Sequence, residues 1–185
     1  MEIMYCTRWL KDEFTTESSP YEDKLSIIAN SIKRWLSESG YVENKTGLYL
    51  ATTNAGVFES ITFWKNALLH SPGFANPANF NWTLANGPAG FLARQLTIKG
   101  PCYTMIGSHD AIEGCLYHAS EDLKTGVITN ALISGLDRIE DKIRICIALM
   151  IITPAEKAVV TPTLGTYKTD ARYASSALEE ILSVV

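Results

Sequence analysis

Four short apolar runs, at residues 47–52, 102–106, 128–133 and 143–152, alternate with longer stretches of helical periodicity. That alternation constrains the fold more than any other feature, because short apolar runs between turn residues read as buried strands. Residues 21–37 set Leu25, Ile28, Ala29, Ile32 and Leu36 on one helical face, with Asp23, Lys24 and Lys33 elsewhere on the wheel. Ser19-Pro20 supplies a start signal for this helix and Gly40 a stop. Asn54-Ala55-Gly56 breaks the first strand, residues 57–70 form a helix, and residues 71–79 a loop. The next helix begins at Thr83 or Asn86 and ends near Gln95, and another covers residues 110–124. A charged turn at residues 137–142 precedes the last strand. The tail, residues 170–183, gathers Tyr173, Ala174, Ala177, Leu178, Ile181 and Leu182 on one helical face. Strands and helices in this order predict an α/β arrangement with a mostly parallel, covered sheet. The chain has no internal repeat or low-complexity linker, which predicts a single domain over residues 1–185.

Within this frame, Asn86-Gly87-Pro88-Ala89-Gly90 opens an apolar helix that leads into Leu96-Thr97-Ile98-Lys99-Gly100-Pro101. A strand, a small-residue turn, a helix and a second strand ending Ile133-Ser134-Gly135-Leu136-Asp137 follow. Over roughly residues 47–152 this order resembles the amino-terminal half of a β-ketoacyl synthase of the thiolase fold. The spacing of Asn86-x-x-Ala89-Gly90 to Gly100-Pro101 is its most specific part. The resemblance implies a truncated thiolase-like half with a covered mixed sheet, decorated by an amino-terminal and a carboxy-terminal helix. Ketosynthases carry a reactive cysteine at the elbow, nine residues beyond the glycine of Gly-Pro, where this chain has His109. They also take two histidines from their carboxy-terminal half, whereas the three here are His70, His109 and His118. The family's thiolate attacks an acyl thioester with help from the positive end of the following helix. Its histidines then stabilise the enolate left by malonyl decarboxylation. Lacking these groups, the chain is expected to have no catalytic residue.

Relatives with a replaced cysteine are the chain-length-factor subunits of type II polyketide systems. More similar still are the short ketosynthase-like subunits of bacterial aryl polyene pathways, which partner a full-length catalytic ketosynthase. The resemblance therefore implies a heterodimer, served by an acyl carrier protein, in polyene, polyketide or fatty-acid-like chain elongation. In the family the strand after Gly-Pro lies at the two-fold axis, so Cys102, Tyr103, Thr104, Met105 and Ile106, with Asn86, are expected at the partner interface. An ordinary buried strand is the alternative. Ser60, Trp64, Asn79 and Phe80 correspond to positions bounding the acyl tunnel, although aromatic residues at helical spacing are more often plain core.

His109, at a helix start, would serve as a general base or polarise a thioester carbonyl. The structural reading is stronger, because Ser108 and Asp110 suit a helix cap. Cys102 and Cys115 read as packed thiols, and His70 and His118 as surface or core residues. The cysteines Cys6, Cys102, Cys115 and Cys146 have no Cys-x-x-Cys pair or zinc spacing, so no metal and no cofactor are expected.

The net charge of -4, with no basic run, argues against nucleic acid and anionic membranes as partners. Residues 143–152 include Arg144 and are too short to span a bilayer. The first residues lack a signal-peptide pattern, which makes a reducing cytoplasm the expected compartment and the glycosylation patterns at Asn44 and Asn81 chance matches. The expected function is a non-catalytic, chain-length-factor-like partner subunit that stabilises a ketosynthase and bounds its tunnel. Two alternatives remain: a small thioesterase or malonyl decarboxylase using His109 with Ser108 or Asp110, and a purely structural adaptor.

Overall fold

Side-chain alternation along the central strands sorts the core into two layers, one on each face of a five-stranded sheet. The computed structural model describes residues 2–15, 21–38, 45–74, 76–139, 142–154 and 171–183. The strands are β1 (Glu2–Thr15), β2 (Thr46–Thr52), β3 (Cys102–Ile106), β4 (Asn130–Ile139) and β5 (Lys142–Pro154), in the order β1-β5-β4-β2-β3. The helices are α1 (Tyr21–Ser37), α2 (Val57–His70), α3 (Pro77–Phe80), α4 (Gly87–Gln95), α5 (His109–Lys124) and α6 (Ala174–Ser183).

Leu48 and Leu50 of β2, Leu132 and Leu136 of β4, and Ile143, Ile145, Ile147 and Leu149 of β5 face α1 and α4. From α1 they meet Leu25, Ile28, Ala29, Ile32 and Leu36, the stripe expected from the periodicity, joined by Trp35. The alternate residues, among them Tyr49, Ala51, Ile133, Cys146 and Ala148, face α5 and α6. The two terminal helices are therefore core layers, not decorations. Pro20 and Gly40, the expected signals at the ends of α1, lie outside the described residues, as does Asp170.

Two expectations need correction, and one strand was not expected. The sheet is mixed, as the resemblance implied, and not mostly parallel, as the alternation of strands and helices implied: β2 runs parallel to β3 and β4, while β5 is antiparallel to both β4 and β1. Residues 137–142 are not a turn throughout, because β4 runs on through Asp137 to Ile139 and β5 starts at Lys142. Strand β1 carried no clear alternation in the sequence. It is an edge strand with Arg8, Lys11, Asp12 and Glu13 along it and a bulge between Cys6 and Arg8 that shifts the period.

Candidate functional site

Gly100 and Pro101 set the entry to the elbow. Gly100 N–H donates to Thr46 O at 3.2 Å, and Leu48 N–H donates to Pro101 O at 2.8 Å. A Cβ at Gly100 would collide with Thr46 O, so this junction of β2 and β3 requires glycine. Strand β3 then pairs with β2 from Leu48↔Cys102 to Thr52↔Ile106 and has no partner on its other side among the described residues. At its end Gly107, with φ 148°, turns the chain into α5 and donates its N–H to Thr52 O at 3.0 Å. A side chain there would also meet Asp110 Oδ1 at 2.8 Å.

His109 is the first residue of α5, on the elbow where the resemblance puts it. Its Nδ1 lies 3.9 Å from Glu113 Oε1, and its side chain is 19% exposed. Ser108 precedes the helix without making a side-chain cap hydrogen bond, so the expected capping role is not realised. Nothing joins Ser108 to His109 in a nucleophile–base pair among the described residues. No group of three or more His, Cys, Asp or Glu stands ready for a metal among them either.

Behind the elbow sits a polar junction that sequence reasoning missed. Asp137 is fully buried, and its carboxylate accepts N–H bonds from Thr53 and Ser175, each at 2.7 Å. Thr53 Oγ1 accepts from Ala174 N–H at 3.0 Å and donates to Gly107 O at 3.3 Å. The first turn of α6 is thereby capped by residues of β4 and of the segment after β2, next to the elbow. Gly135 allows this approach, since a Cβ there would lie 2.6 Å from Ala174 O and from Ser175 N. The Ser-Gly-Leu-Asp run signalled a strand end; its partner, α6, is 38 residues away from Asp137 at Ser175, beyond local pattern reading.

The expected interface residues lie on the open side of the sheet. Cys102, Tyr103 and Ile106 are exposed, Ile106 to 71%, and Thr104 and Met105 are partly buried. Cys102 is thus exposed at the start of an edge strand and not a packed thiol. Burial at its own strand still raises its pKa. Cys115 and Cys146 are packed, and burial pushes both thiols up to about 12. Asn86 is exposed at the start of α4 and takes a backbone bond from Gly90 N–H at 3.0 Å. His70 and His118 are exposed, and His118 stacks on Tyr103 at 5.5 Å.

The four expected tunnel positions separate. Asn79 lines a cavity of about 450 Å³ together with Tyr21, Phe63 and Trp82. Ser60 is occupied locally, donating to Thr83 O at 3.1 Å. Trp64 and Phe80 are exposed to 61% and 50%, and each meets the Phe63 ring edge to face. With Val57, Ile61 and Leu68, Trp64 forms an outward apolar stripe along α2, whose only buried residue is Ala67.

No family model matches the sequence, and no curated protein does. Solved structures do share its fold. The ishigamide ketosynthase/chain length factor aligns with a TM-score of 0.56 at 17% identity, over 65% of this chain and 39% of that one. The ketosynthase ApeO in complex with its chain length factor ApeC, from Xenorhabdus doucetiae, aligns at 0.62 and 13% identity, over 83% of this chain and 59% of that one. A β-ketoacyl synthase from Burkholderia phymatum STM815 aligns at 0.55 and 11% identity, over 75% and 46%. This chain spans less than two thirds of each of those chains. It has the thiolase-like fold of the ketosynthases, over part of its extent.

Proposed function

We propose that this chain is a ketosynthase-like partner subunit that does not itself catalyse condensation. It joins a full-length catalytic ketosynthase as a heterodimer, to which an acyl carrier protein delivers thioesters. The observation that carries this reading is His109 on the elbow, where condensation needs a thiolate. An imidazole cannot form the acyl thioester. The exposed strand β3 supports the docking part, because an open apolar edge with unpaired backbone groups is a template for another chain. Docking through Cys102 to Ile106, with Asn86 at the rim, would cover it. Trp64, Phe80, Asn79 and Ser60 would then bound the partner's acyl tunnel, in aryl polyene, type II polyketide or fatty-acid-like elongation.

Co-expression with a full-length ketosynthase, followed by co-purification and product analysis, tests this reading. The expected result is a one-to-one complex that elongates acyl chains, while the isolated chain is inert. Carbon–carbon bond formation by the isolated chain would sink it. Product length should shift in Trp64→Ala or Phe80→Ala; unchanged product with normal assembly would leave a structural adaptor. The hydrolase alternative is disfavoured by the absence of a Ser108–His109 hydrogen bond. His109→Ala should therefore leave thioester hydrolysis at background.

A further inference from the structure

The cavity beside Asn79 opens on the side of α2 opposite the apolar stripe. Glu59, Thr62 and Phe63 face it, whereas Val57, Ile61, Trp64 and Leu68 project from the other side of the helix. Three rings wall it: Tyr21 and Trp82 meet edge to face at 5.6 Å and 70°, and Phe63 closes the α2 side. Its charged groups are two carboxylates, Glu22 and Glu59, and one guanidinium, Arg138. Arg138 Nη1 pairs with Glu59 Oε1 at 2.8 Å, and the guanidinium lies over the Phe58 ring at 4.7 Å. Arg138 is thus held at the wall through Nη1, while its buried Nε has no hydrogen-bond partner among the described residues, and the Glu22 charge is left over. Tyr21, at the same wall, has its phenol pKa raised above the ordinary value, first by burial and next by the Glu59 charge. Volumes in this range, roughly 300–1,000 Å³, are those of small-ligand sites.

We propose that this cavity binds a small organic monocation, an alkylammonium or quaternary ammonium group, among the Tyr21, Phe63 and Trp82 rings with Glu22 as counter-ion. Aromatic faces carry negative charge density and attract a cation over them, most strongly where water is excluded. An anion would meet two carboxylates, Glu22 and Glu59, against one guanidinium whose Nη1 is held by Glu59. A neutral ligand of the same shape would gain nothing from Glu22. The site shares Asn79 with the proposed tunnel boundary, but binding by the partner-free chain is read without a ketosynthase, so its failure and the failure of that reading are distinguishable.

Choline and its uncharged isostere 3,3-dimethylbutan-1-ol provide the test, by calorimetric titration of the full chain. Choline should saturate a single site, and the isostere should bind roughly ten-fold more weakly. Glu22→Gln, an exposed change, should weaken choline several-fold and leave the isostere unaffected. Thr62→Trp, at an exposed position on the wall, should block choline while the circular dichroism spectrum stays that of the parent. Equal binding of the isostere, no saturable choline binding, acetate or phosphate binding in its place, or undiminished binding by Thr62→Trp would each overturn the proposal.

Discussion

Two sides of the molecule meet their surroundings in opposite ways. Where α5 and α6 cover the sheet, the outward residues are mostly polar: Asp110, His118, Glu121 and Lys124 on α5, Glu180 and Ser183 on α6, with the Tyr117 ring exposed among them. Glu179 of α6 is tied down by Arg144 at 2.9 Å and Lys11 at 2.6 Å. At the other side, along α2 and β3, Ile61, Trp64, Leu68, Leu69 and Ile106 stand in the open. A face that ends in carboxylates and hydroxyls suits water, whereas one that exposes several large apolar side chains suits cover by another chain. The difference assigns different constraints to the two sides. Substitutions on the first should change stability, and those on the second should change association.

The largest effect should come from charging the open edge. Ile106→Lys puts an ammonium where the proposed partner would bury an isoleucine, and should weaken capture of the catalytic ketosynthase by ~100-fold or more. Tyr117→Lys on the polar side should alter it less than two-fold, as read by titration of tagged chain. Equal effects at the two positions would erase the comparison. Next in size is the α6 junction. Asp137→Ala leaves the buried N–H groups of Thr53 and Ser175 unpaired and should cost about 3 kcal/mol in chemical denaturation, with a partner-free chain as substrate.

A smaller, pH-dependent effect follows from the thiols. Cys115 and Cys146 keep their protons up to about 12, while the unfolded chain releases them near 9.0. The folded state therefore binds more protons across that window, and stability falls as pH rises from 9 toward 12, with no contribution from these thiols well below it. Denaturation midpoints of the parent and of Cys115→Ala, compared across this range, check the sign. In the same samples Cys102 should alkylate with iodoacetamide and become protected on complex formation, while Cys115 stays unreacted. The smallest effect belongs to Lys124→Ala, which removes an exposed 3.1 Å pair with Glu121 and should change stability by no more than about 0.5 kcal/mol.

Much of the fold was legible before any coordinate. The helices over Tyr21–Ser37 and Val57–His70 and the strand Cys102–Ile106 coincide with their expected bounds. In these segments local periodicity and turn residues agree with the tertiary environment. The candidate site was legible only along its backbone. Gly100-Pro101 and the elbow could be found by motif and interval. The exposure of Cys102 could not, because the sequence CYTMI reads alike for a central and an edge strand. Nor could the division of Asn79, at the cavity, from Trp64 on α2 and Phe80 on α3, which follows from how α2 and α3 pack.

From the sequence alone came the order of the five longer helices and of β2 to β5, the apolar stripe of α1, the glycine at the β2–β3 junction and the histidine that starts α5. These depend on neighbours a few residues apart, where steric limits and helical or pleated repeat govern. Only the tertiary structure decided which strand would be the open edge, that β1 pairs with β5, and that Asp137 caps a helix starting at Ala174. Those outcomes rest on contacts between segments far apart in the chain, where the residue patterns are compatible with several pairings. Packing both faces of the sheet while satisfying buried N–H groups selects among them.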